Sequence, residues 1–224
     1  MEEKSLLKLN YKNSYLKLKK QIDYLLDNGA DINEQDIRGN TPLCLATYDG
    51  NPKIVKYLLD KGADQTIRNN DKDNPLFLSL IQSDRESFNI LIDEVVKKNQ
   101  TFLLNSIDAN HETLLMYSFM SSVFREYERD VLLNIFEDLL IKSNYKLNIN
   151  IQTQNGKTIE DLINQYGEGN KEGYDNKKAK ELLEKYKNRA FHSSEKEKKK
   201  IIEKTINIKE NNFELDLSDD FSFL

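Results

Sequence analysis

The chain has 224 residues, a net charge of −5 and a mean hydropathy of −0.71. The length suits one domain with appendages, and the negative balance disfavours non-specific binding to nucleic acid or to an anionic membrane. No apolar run is long enough to span a bilayer, Met1-Glu2-Glu3-Lys4 lacks the apolar core of a secretory signal, and a single cysteine suits a reducing compartment, so a cytoplasmic location is expected.

In chain order, residues 1–33 read as a degenerate opening unit. Leu6, Leu7 and Leu9 supply a first helix. Leu18, Ile22, Leu25 and Leu26 recur at helical spacing and make a second, which Asn28-Gly29 closes. Lys17, Lys19 and Lys20 lie on its other face and read as the solvated surface of an end cap. Residues 34–66 are clearer. Thr41 stands where an N-terminal cap belongs, and Pro42 follows at the first helical position, where its missing N–H costs nothing. Leu43, Leu45 and Ala46 give a short apolar face, and Asp49-Gly50-Asn51-Pro52 stops that helix. Ile54, Val55, Leu58 and Leu59 make the next helix, with Gly62 placed for the left-handed cap.

Two landmarks then repeat. Gly29-Ala30-Asp31 returns as Gly62-Ala63-Asp64, and Thr41-Pro42-Leu43 returns as Asn74-Pro75-Leu76, each after 33 residues. Two independent landmarks with one period indicate a repeat array. On the G-x-T-P-L of residues 39–43, Ala46, the I-V-x-x-L-L of residues 54–59 and the G-A-D of residues 62–64, the chain resembles the ankyrin-repeat family. The resemblance implies an all-α solenoid of about four to five helix-turn-helix units with β-turn fingers, irregular ends and a non-repeat C-terminal tail. It also accounts for so polar a chain, because each unit of an array buries only a thin layer. Cys44 stands where the family usually has a histidine that ties neighbouring turns, so a looser turn is expected at 36–44.

Residues 67–105 are a weaker unit, with Leu76, Leu78, Leu80 and Ile81 in its first helix and Phe88 to Val96 in its second. Lys72 replaces Gly39 and Ser83 replaces Gly50, so a finger turn of different shape is expected there. Lys97-Lys98-Asn99-Gln100 replaces the closing G-A-D, which leaves room for a longer helix. The unit at 106–150 starts from His111-Glu112-Thr113-Leu114-Leu115, with a second helix at 131–141 and an extended connection at 121–129. The unit at 151–187 starts from Asn155-Gly156-Lys157-Thr158 and carries a polar, glycine-rich loop at 168–173 before Ala179, Leu182, Leu183 and Tyr186 close it. The array thus spans 1–190, and 191–224 is a charged tail whose alternating Ile206, Ile208, Phe213, Leu215 and Leu217 give a strand pattern. Three readings of that tail stay open: a solubilising end, a strand folded back on the array, and a linear motif captured by strand addition, with Phe213, Leu215, Leu217, Phe221 and Phe223 as its anchors.

No catalytic constellation is present. His111 and His192 have no ligand-spaced partner, Cys44 reads as a small buried filler, and neither a metal site, a phosphate loop nor a triad order occurs, so neither enzyme activity nor a cofactor is expected. His111 falls at a left-handed turn position. In the ankyrin resemblance, partners meet the fingertips and the exposed face of the first helices. Carried onto this chain, those positions include Ile37, Arg38, Asn40 and Tyr48, then Asn70, Asp71, Asp73, Leu80 and Ile81, then Phe119 and Met120. Tyr48, Leu80, Ile81, Phe119 and Met120 would line an apolar stripe of the kind that anchors interfaces. The expectation is a protein-binding module, acting as inhibitor, adaptor or mask. The alternatives are the targeting part of a secreted effector and a protein that neutralises a toxin. Oligomeric state is left open.

Overall fold

The structure, a computed structural model, describes residues 5–143, 146–166 and 176–190. The expected loop at 168–173, His192, the charge-mixed segment 193–204 and the tail anchors Phe213, Leu215, Leu217, Phe221 and Phe223 lie outside the described residues. The chain divides into two compact units, residues 1–183 and 184–224; of the second, only residues 184–190 are described, and they are helical.

The first unit is built from helix pairs. After a 3-10 turn at Leu6–Lys8 come α1 (Tyr15–Asp27), α2 (Pro42–Tyr48), α3 (Pro52–Asp60), α4 (Pro75–Ile81), α5 (Arg85–Lys97), α6 (Leu114–Phe124), α7 (Arg129–Lys142) and α8 (Ile159–Tyr166). Residues 177–183 are helical as well. The helices stack in two rows. α2, α4, α6 and α8 follow one another in an inner row, and α1, α3, α5 and α7 in an outer row. α2, α4 and α6 each also pack on the outer helix that follows. The only strand-like pairing among the described residues is one bridge between Ile107 and Thr113.

Local chemistry sets most of the starts, α1 and α7 being without a side-chain cap. Thr41, Asn74 and Thr113 accept from the N–H of Cys44, Phe77 and Met116, three residues on, and so cap α2, α4 and α6. Asn51 and Asp84 do the same for α3 and α5. At α8, Thr158 and Asp161 cap each other's N–H in a capping box. Each such cap stabilises its helix by about 1 kcal/mol. The core lies between the rows. Leu43, Leu76, Leu80 and Phe119 from the inner helices meet Ile54, Leu58, Phe88, Leu91, Ile135 and Phe136 from the outer ones, all at most 1% exposed. Every such side chain contributes roughly 1.5–3 kcal/mol by leaving water.

Two local expectations change. The first helix expected from Leu6, Leu7 and Leu9 is only the 3-10 turn Leu6–Lys8. It is held by the Glu34 carboxylate, which accepts from Ser5 Oγ and Leu6 N at 2.7 Å each, and by Tyr11 Oη, which donates to the Leu6 carbonyl. The turn at 69–74 keeps its shape without glycine, because Lys72 takes φ +67 beside the +77 of Gly39. The longer helix expected where Lys97-Lys98-Asn99-Gln100 replaces the closing G-A-D is present: α5 has 13 residues where α3 has 9. Asn99 takes the left-handed end at φ +55, and a 3-10 turn at Thr101–Asn105 absorbs the residues inserted after α5. The longer connection before α7 extends α6 to Phe124 and then makes a 3-10 turn at Glu126–Glu128.

Candidate functional site

The finger turns share one hydrogen-bond frame. Asp36 Oδ1 accepts from Arg38 N and Asn40 N at 2.8 Å each. Asn69 Oδ1 accepts from Asp71 N and Asp73 N, and Asp108 Oδ1 from Asn110 N and Glu112 N. The short Asp or Asn side chain thus folds its own backbone into the turn. The left-handed residue of each turn is Gly39, Lys72, His111 or Gly156, with φ between +62 and +77. His111 therefore sits where a backbone position, not a ligand, calls for it.

Neighbouring turns are then sewn together. Asn70 N donates to the Arg38 carbonyl at 2.9 Å, and Asn70 Nδ2 to the Ile37 carbonyl at 3.1 Å. Asn69 Nδ2 donates to Asn40 Oδ1, and Gln35 Nε2 reaches both the Gly39 and the Arg68 carbonyls. Arg68 repeats the role of Gln35 one unit later, donating to the carbonyls of Lys72 and Ile107. The looser turn expected at Cys44 is absent for this reason: side chains at 35, 69 and 70 do the tying. Cys44 itself is buried, donates its N–H to Thr41 Oγ1 and accepts the Thr41 hydroxyl on Sγ. Burial pushes its thiol up, away from the reactive thiolate.

Between the turns 36–41 and 69–74 and the inner helices α2 and α4 lies a cleft of about 460 Å³. Its floor is Leu45, Tyr48, Leu78 and Ile81; its walls carry Asp36, Arg38, Asp71 and Asp73. Asp73 is half-buried, and its carboxyl is pushed up to about 6, first by burial and then by Asp108 and Asp71, with Arg68 acting against the rise. Burial, with Asp108, also raises Glu112 at the corresponding position of the next turn. The wall of the groove is therefore a line of carboxylates that repel one another.

Of the expected contact residues, Arg38, Asn40, Tyr48, Asp71, Asp73 and Ile81 line this one cleft. Ile37 is 96% exposed at a fingertip, and Asn70 is exposed beside it. Met120 is half-buried on α6. Leu80 and Phe119 do not belong to the surface: both are 0% exposed. Phe119 packs against the Phe136 ring of α7, with centroids 6.3 Å apart. The reason is helical geometry. Thr47, Leu80 and Phe119 hold the same position in their three helices, and all are buried, whereas Tyr48, Ile81 and Met120, one residue and about 100° further round, turn toward the groove. The apolar stripe is therefore narrower than expected, and Leu45 and Leu78, one turn before Tyr48 and Ile81, take the place of the two lost members. Asp36 and Asn69 were also missed as turn clamps, although their 33-residue spacing and the Asx-x-x-x-Asx pattern of each turn signal the role.

The insertion at 125–128 folds back on the preceding unit. Arg125 Nη1 donates to the Ile81 carbonyl at 2.8 Å and pairs with Glu128 at 3.0 Å. Ser83 Oγ donates to the same Glu128 carboxylate at 2.5 Å, and together these hold it below its usual range. Tyr127 between them is fully exposed.

Residues 14–102 match the family model of ankyrin repeats in three copies. These residues are ankyrin repeats. The helix pairing that defines the ankyrin stack continues beyond the match through α6, α7 and α8. No curated protein matches the chain. Among the described residues, no group of histidine, cysteine and carboxylate side chains could hold a metal, and no helix is long and apolar enough to cross a membrane.

Proposed function

We propose that the ankyrin stack holds a partner protein in the groove between its finger turns and inner helices, and that it does so without catalysis. The observation that carries this reading is the cleft of about 460 Å³, with its apolar floor of Leu45, Tyr48, Leu78 and Ile81. Tyr48 is 55% exposed there, an amphipathic anchor with few rotatable bonds. The turns above it are cross-tied by backbone and side-chain hydrogen bonds, so little ordering is left for a partner to impose. Ile37 and Asn70 extend the contact to the fingertips. Whether the bound partner is inhibited, tethered or masked follows from its identity.

The test is a comparison of captured proteins across three forms of the full chain: intact, Ile37→Ala with Tyr48→Ala, and Leu16→Ala. Leu16 is 70% exposed on α1, in the outer row, and serves as the control. A stoichiometric partner held by the intact and Leu16→Ala chains and lost from the double variant is the expected result. A partner held equally by all three removes the groove from the function.

A further inference from the structure

This inference rests on the groove reading and names the partner's chemistry. We propose that the cleft between the turns 36–41 and 69–74 receives a segment presenting an arginine or lysine beside an apolar residue. The walls are unbalanced: Asp36, Asp71 and Asp73 face a single cationic lining residue, Arg38. The three carboxylates are not equivalent. Asp36 is committed to its own turn, with Oδ1 holding two backbone N–H groups and Oδ2 the Asn40 amide. Asp71 is exposed to water. Asp73 is half-buried, and among the described residues nothing donates to its carboxylate and no cation pairs with it; only its backbone N–H and C=O are engaged, both with Asn69.

An occupant must therefore do two things. It must cover the apolar floor, and it must not seal an ionised, unpaired carboxylate away from water. A purely apolar side chain fails the second requirement: it either buries an unpaired charge or forces a proton onto Asp73, and each costs binding free energy that a cationic partner does not lose. An acidic segment meets three carboxylates. A long cationic side chain satisfies both: its methylene stem lies on apolar surface while its head reaches the wall. A guanidinium also stacks on an aromatic face, and Tyr48 supplies one at the floor. The net charge of −5 draws such a segment in from a distance.

The probe is a random peptide library displayed on phage and panned against the immobilised full chain. Retained peptides are synthesised and titrated against the intact chain and the Tyr48→Ala, Asp73→Asn and Leu16→Ala variants, at low and high NaCl. Asp73→Asn is nearly isosteric, and thermal unfolding of each variant confirms the fold. The expected result is enrichment of arginine or lysine next to an apolar residue. Binding should weaken about tenfold in Asp73→Asn and fall with salt, yet stay unchanged in Leu16→Ala. Peptides lost in Tyr48→Ala but not enriched in basic residues, or indifferent to Asp73→Asn, overturn the cationic assignment and leave the groove reading standing. Peptides that bind Tyr48→Ala as well as the intact chain, or a library from which nothing is retained, overturn both.

Discussion

The turns at 36–41 and 69–74 follow one backbone path with different residues at the point of greatest strain. Gly39 takes φ +77 in the first, and Lys72 takes φ +67 in the second. Both turns are clamped by an Asx side chain that accepts two backbone N–H groups. They differ in what surrounds the strained residue. A Cβ added to Gly39 would stand 2.9 Å from Asn70 Oδ1, 3.0 Å from Asn70 N and 3.1 Å from Asn69 Cα. A left-handed conformation alone costs a side-chain-bearing residue about 1 kcal/mol, and the array tolerates that at Lys72 and His111. Crowding by the next turn's backbone is a second constraint, which applies at Gly39. Glycine is thus required where turns touch, and optional where only the angle is demanding.

The sharpest way to break that contrast is a pair of substitutions. Gly39→Ala should lower stability by about 2–4 kcal/mol, since strain and collision act together. Lys72→Gly should raise it by about 0.5–1 kcal/mol through relief of strain alone. Chemical denaturation measures both. A Gly39→Ala loss of no more than about 1 kcal/mol would show that the angle is the whole constraint.

The exit residues of the same two turns, Asn40 and Asp73, supply a smaller test. The Asp73 carboxyl binds its proton more tightly in the folded chain, at about 6, than at its ordinary value of 3.8. Asp108 and Asp71 push in that direction and Arg68 pulls against it. A group of this kind favours folding in acid: the contribution is full below 3.8 and is lost as pH rises through about 6. Asp73→Asn should therefore stabilise the chain at pH 7, by about 1–2 kcal/mol after allowance for solvent screening. It should change little at pH 4. Unfolding midpoints of both proteins across this range decide the matter; a difference that does not vary with pH removes the buried charge as its cause.

Much of the fold was legible because the repeat writes the same physics several times. The caps at Thr41, Asn74 and Thr113, the first-position prolines Pro42 and Pro75, and the left-handed Gly62 are local features, readable without knowing what they pack against. The site was legible only in part. Tyr48 and Ile81 do line the groove, but Leu80 and Phe119 were expected there too, because a run such as Ser79-Leu80-Ile81 gives no sign of which apolar neighbour faces in. The answer depends on the helix that follows, in the case of Phe119 on Phe136 of α7. The ties between turns were illegible for a similar reason. Gln35 and Arg68 are unlike in sequence, yet each donates to the carbonyls of its own turn and the next.

The returning insertion at Arg125 has a consequence for cooperativity. It adds to a boundary already joined by Arg85 to Asp138 and by Lys142 to Asp93, so α4–α5 and α6–α7 share polar links near the groove and along the outer row. In a nearly one-dimensional stack, the boundary between units decides how far an opening event travels. An array with equal boundaries frays unit by unit from its ends. Here the two middle pairs should open together as one block, with amide exchange in residues 75–97 and 114–142 showing a common free energy of opening. Separate values for the two stretches would mean that the insertion decorates the boundary without coupling across it.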